Sequence, residues 1–91
     1  MTYILIRLNV GDFDIWKQMF DDDDSGIRAK AKGHRVLRGV EDADQVIVVV
    51  EFDSSGDAIT ARDKLLASGI LAHFPDKDLP IVVEESETVV Y

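Results

Sequence analysis

The sequence predicts an α+β fold, a four-stranded antiparallel sheet with two helices on one face, and three observations carry that prediction. Its apolar segments run strand, helix, strand, strand, helix, strand within 91 residues, with almost no linker between them. Val46 to Val50 is an unbroken β-branched run, the pattern of a central strand covered on both sides. Phe13, Trp16, Phe20, Ile27 and Ala31 recur at three-, four- and seven-residue spacings, the apolar stripe of a helix.

The first strand reads Tyr3 to Asn9, where Ile4, Ile6 and Leu8 alternate with Tyr3, Leu5, Arg7 and Asn9. The first helix is expected from Phe13 to about Ala31, entered through Asp12 or Asp14 as acceptors for free amides, with a break near Ser25 after Asp21 to Asp24. Arg35 to Val40 and Val46 to Phe52 form a strand pair joined by the short polar segment Glu41 to Asp44, hence antiparallel neighbours. In the second of these, Val46, Val48, Val50 and Phe52 point one way and Ile47, Val49 and Glu51 the other. The second helix spans Ala58 to Ala67 behind the cap cluster Asp53 to Gly56, with Ala58, Ile59, Ala61, Leu65 and Leu66 as its apolar set and Gly69 as its stop. The last strand is expected from Ile81 to Tyr91, with Pro80 at its start and Glu84 to Glu87 as an edge or bulged portion.

Un-knotted, right-handed connections arrange these strands in the order 4-1-3-2 with both helices on one face. The opposite face then carries Tyr3, Leu5, Ile47 and Val49 with no third layer in the chain to cover it. An apolar sheet face of that size exceeds what monomers ordinarily expose, so a homodimer is expected.

Composition narrows the function classes. The chain reads as one domain, residues 1–91, and its 18 acidic against 10 basic residues, net charge -8, disfavour contact with phosphate backbones. Nucleic acid is therefore not an expected partner, and the sheet lacks paired stacking aromatics of the RNA-binding kind. Cysteine is absent, which removes disulfide and thiolate chemistry. No basic leader with an apolar core opens the chain and no run approaches bilayer length, so no membrane association and a cytoplasmic location are expected. Asn9-Val10-Gly11-Asp12-Phe13 is not the Gly-rich phosphate loop that acylphosphatase-like chemistry would need after the first strand.

The run Asp12-Phe13-Asp14-Ile15-Trp16-Lys17, then Phe20-Asp21, Arg28, Gly33 and Val40 to Val46, resembles bacterial members of the dimeric α/β-barrel (ferredoxin-like) superfamily. That superfamily includes antibiotic-biosynthesis-monooxygenase-like proteins, haem-degrading monooxygenases and small polyketide-cyclase-like enzymes. The resemblance spans Tyr3 to about Leu71 and the final strand. It implies two sheets facing each other across a dimer and a cavity between sheet and helices in each subunit. It also matches Asn9 to the Asn that monooxygenase-like members carry near the end of the first strand, and His73 to the His that the haem-degrading branch carries between the second helix and the last strand, with Trp16 as the single Trp. The haem-degrading branch carries its Trp on the second helix, whereas Trp16 lies on the first, which argues against haem degradation; no cofactor is expected.

Each candidate has a functional and a plain structural reading. His73 is a general base or haem ligand, or an exposed loop His. Asn9 donates to an enolate or peroxide oxygen, or satisfies the turn at Val10-Gly11. Trp16 lines a pocket mouth, or is core. His34 sits among basic residues as an ordinary solvated or helix-terminus side chain. Arg7 and Glu51 interrupt apolar central strands, as an ion pair or as charges in the dimer interior or cavity. Asp21 to Asp24 cannot converge on a metal ion, because consecutive helical residues point about 100° apart; a solvated acidic turn fits better.

These readings lead to a homodimer that binds a small apolar molecule between sheet and helices. The alternative is a cofactor-independent monooxygenase or polyketide-cyclase-like enzyme acting on an aromatic or polyketide-like substrate. In it Asn9, Trp16 and His73 share a cavity, and the substrate supplies its own carbanion. A small regulatory, ligand-sensing module is a third class.

Overall fold

A computed structural model describes residues 1–23 and 26–91. Strands β1 (Thr2–Asn9), β2 (Gly33–Arg38), β3 (Gln45–Phe52) and β4 (Lys77–Glu84), with helices α1 (Phe13–Asp22) and α2 (Ser55–Ala67), follow one another as βαββαβ, and Ile70–His73 adds a 3-10 turn. The sheet is antiparallel in the order β2-β3-β1-β4, the expected 4-1-3-2 read from the other edge, and the fold is ferredoxin-like. Alternation in the two central strands decides the faces. Ile4, Ile6 and Leu8 lie opposite Val50, Val48 and Val46, and all six are buried beneath the helices.

Both helices start where the sequence supplies a cap. Asp12 Oδ1 accepts from the amide of Ile15 at 3.1 Å, and Ser54 Oγ from that of Asp57 at 3.1 Å. Helix α1 is shorter than its apolar stripe implied. It ends at Asp22 because Asp23 turns left-handed at φ 43°, and residues 27–30 form a turn in place of a helix. Ile27 and Ala31 still pack against the core from that turn. The break expected near Ser25 lies outside the described residues.

Two strands are displaced from their expected bounds. β2 stops at Arg38, two residues early, since the Gly39 amide already closes the hairpin onto the Gln45 carbonyl at 2.8 Å. A Cβ on Gly39 would collide with the Asp42 carbonyl, so glycine is required there. β4 begins four residues early and ends at Glu84, leaving 85–91 outside any strand. Glu84 pairs with Thr2 and the Glu85 amide reaches the Met1 carbonyl at 3.1 Å, after which β1 has no residue left to pair. Pro80 is not the first residue of the strand. It is buried where the register slips between Leu5 and Arg7, an irregularity of an edge strand that accommodates a residue without an N–H.

On the other face, Arg35, Val49, Leu5 and Ile81 form one cross-strand row and Leu37, Ile47, Arg7 and Asp78 the next. No described element covers them; Leu37 is 50%, Ile47 38% and Ile81 51% exposed. Among the described residues no helix is long and apolar enough to cross a membrane.

Candidate functional site

The helices approach the sheet differently, and the site lies under the one that stands off. α2 presents the small buried residues Ala58 and Ala61 and lies close over β1, β3 and β4. Ile59 and Leu66, expected in its apolar set, are instead largely exposed, because the alanines take the inward face. No Cα of α1 comes within 8 Å of a Cα in another helix or strand. A ladder of rings fills that gap: Phe13 to Trp16 at 5.7 Å between centroids and Trp16 to Phe20 at 5.1 Å. Large side chains prop the helix but do not fill all the space beneath it.

What remains is a cavity of about 320 Å³ between α1 and the sheet. Ile4, Ile6, Val48 and Val50 form its floor, Trp16 and Phe20 its roof, and Leu65, Leu71 and Phe74 close it on the α2 side. That volume lies at the small end of ligand pockets, roughly 300–1,000 Å³. Among the described residues the lining is apolar except for Asp23 and Arg28, its only ionisable members. These two belong to the more exposed rim, together with Met19.

Asp23 and Arg28 are brought to the rim by the turn that ends α1. Asp23 Oδ2 accepts from the amide of Arg28 at 3.1 Å and the Asp23 carbonyl from that of Gly26 at 2.8 Å, folding the chain back on itself. The Arg28 guanidinium then lies over the Phe20 ring, 3.7 Å from its centroid, and donates through Nη2 to the Phe20 carbonyl. His34, on β2, meets the same ring edge-on at 5.0 Å, with Nδ1 at 3.4 Å from Arg28 Nη1. Burial, then the charges of Arg28 and Lys17, push the His34 imidazole below its usual value, with Asp21 opposing them. The cavity offers space and an apolar lining, and at its rim stand a cation and a carboxylate.

Of Asn9, Trp16, His73, Arg7 and Glu51, Trp16 alone lines this cavity, and Asp23, read from the sequence as part of a solvated acidic turn, joins it at the rim. Asn9 closes β1, where its Oδ1 accepts from the Gly11 amide at 3.2 Å and its own amide donates to the Asp76 carbonyl at 2.8 Å. His73 ends the 3-10 turn as an exposed side chain outside the lining. The three do not meet in one cavity. Arg7 and Glu51 lie on the uncovered sheet face, not in the cavity, and they are not side by side: Arg7 stands opposite Ile47 and Glu51 opposite Tyr3. Arg7 instead gathers Asp76 at 2.9 Å, Asp78 at 3.0 Å and Gln45 at 2.7 Å, and the two carboxylates hold its guanidinium still more firmly charged. Among the described residues no group of His, Asp and Glu is placed to hold a metal ion.

Arg28 was not singled out for the site, for a physical reason. In a helix running on to Ala31 it would lie about 12 Å along the axis from Phe20; only the turn after Asp22 returns it there. The available signal was Ser25-Gly26 after four aspartates, a stop stronger than the apolar stripe that continues beyond it.

No family model and no curated protein matches the chain. Among solved structures, a protein from Deinococcus radiodurans described as a "putative antibiotic biosynthesis monooxygenase" superposes with a TM-score of 0.70 over 100% of this chain and 98% of that one, at 14% identity. At that identity the likeness is one of fold.

Proposed function

We propose that this chain is a cytoplasmic small-molecule-binding protein that works as a homodimer and holds an apolar ligand between its sheet and α1. The observation that carries the reading is the cavity of about 320 Å³ beneath α1, whose Phe13, Trp16 and Phe20 pack with the core while its backbone stays clear of the other elements. Such a space has few polar groups to satisfy, and filling it with an apolar body is favourable. Trp16, the single Trp, forms part of its roof and reports occupancy directly. Titration with an apolar probe should shift and quench Trp16 emission saturably; an emission spectrum that never responds would defeat the proposal.

The homodimer rests on the uncovered rows through Leu5, Ile47, Val49 and Ile81, apolar residues on one continuous face. A two-fold axis lets the same patch cover itself. Light scattering at micromolar concentration should give twice the chain mass, and Leu5→Glu, which sets a charge at the centre of that face, should halve it.

A second reading, a cofactor-independent monooxygenase or cyclase-like enzyme, is favoured by the fold likeness to the Deinococcus protein. Its substrate would occupy the same cavity beside Trp16. Since Asn9 and His73 lie outside that lining, they do not form with Trp16 the trio this reading began from. Oxygen consumption on mixing with a polyketide-like phenol would separate turnover from binding alone.

A further inference from the structure

Among the described residues of the cavity lining, Arg28 is the only cation, and it stands at the rim. The Arg28 side chain is 15% exposed, and among the described residues its charge is paired only with Asp23, too far for a hydrogen bond to its guanidinium. Asp23 Oδ1 stands 3.7 Å from Nε, and the other oxygen of that carboxylate already accepts from the Arg28 amide. Nη2 is engaged by the Phe20 carbonyl, and Nη1 lies at a long 3.4 Å from His34. A guanidinium has five donors in a planar fork, and stacking on a ring leaves the edge of that fork free to bond. A largely desolvated cation with donors to spare beside an apolar cavity calls for an anionic oxygen group.

We propose that the cavity takes an apolar molecule bearing a single carboxylate, with its body under α1 and its head group on Arg28 at the rim. This deepens the binding reading above and rests on it. The neighbouring charges set the class of anion. Asp23 on the same rim and Asp21 nearby repel a dianion, while Lys17 is tied to Asp21 at 2.7 Å and adds little. The chain's net charge of -8 offers no long-range attraction to an acid, so the preference comes from contact with Arg28.

The test compares octanoate with 1-octanol, which share a chain and differ in the head group, by Trp16 fluorescence at neutral pH. The wild type should bind octanoate about tenfold or more tighter than octanol. In Arg28→Gln that ratio should collapse toward one, and in Arg28→Lys, which keeps the charge without the fork, part of it should return. Equal binding of acid and alcohol by the wild type would overturn this inference and leave the apolar cavity reading standing. Failure of both to bind would overturn the two together. An undiminished ratio in folded Arg28→Gln would also overturn it; should that variant not fold, the wild-type ratio and the Lys variant decide.

Discussion

Helix α2 meets the sheet through Ala58 and Ala61, and α1 stands away from it on Phe13, Trp16 and Phe20. Their ends do not explain the contrast, since Asp12 and Ser54 cap them with equivalent hydrogen bonds. Side-chain volume at the contact does. Alanines let a helix backbone settle against the strands, whereas a ring ladder sets a spacing that the short side chains of the floor cannot close. Two amphipathic helices on one sheet face thus divide the labour, one sealing the core and the other leaving a cavity.

Enlarging a side chain on the sealed side should cost the most stability. Ala58→Leu should cost about 1–3 kcal/mol, read from urea denaturation, because Ala58 has no exposed surface and the strands beneath it cannot retreat. The same kind of change under α1 should behave otherwise. Val48→Leu enters the cavity floor, so its stability cost should stay below about 1 kcal/mol, while the affinity for an apolar probe falls. If both variants lose equal stability, the space beneath α1 is filled in solution.

A smaller effect sharpens the contrast in dynamics. Asp12→Ala removes the α1 cap and should cost about 1 kcal/mol. Since α1 has little backbone packing to hold it, amide exchange should quicken along α1 while β1 and β3 stay protected. Ser54→Ala should not unzip α2 in the same way.

The smallest expected effect is the pH response of the α1 rim. His34 is held below the ordinary imidazole value of 6.5, so it accepts a proton less readily folded than unfolded. The stability it contributes is whole above that value. It is lost as pH falls through it toward the lower folded value, where the unfolded state binds more protons. Denaturation midpoints of the wild type should drop more than those of His34→Gln between pH 7.5 and 5; parallel curves would remove the effect.

Much of the fold was legible because strands and caps announce themselves locally. Alternation in Ile4, Ile6 and Leu8 against Val46, Val48 and Val50 selected the buried face, and Asp12 and the Ser54 cluster marked both helix starts. The site was less legible. Trp16 was readable as a pocket residue, but Asn9 and His73 were drawn in by their places in a resemblance, and the chain uses Asn9 to close its own turn. Arg28 escaped because its position depends on a left-handed Asp23, a conformation that propensity does not favour outside glycine and that the return of the chain imposes.

By itself the sequence determined the order of elements, the sheet order and the face of each central strand, since periodicity and connection rules act on neighbouring residues. Tertiary structure decided the ends of α1 and β4, the distance at which α1 stands, and which polar groups reach the space beneath it. Those depend on what an element meets across the core: β4 stops where β1 has no more residues to offer, and the cavity exists because rings and alanines met the same sheet at different heights.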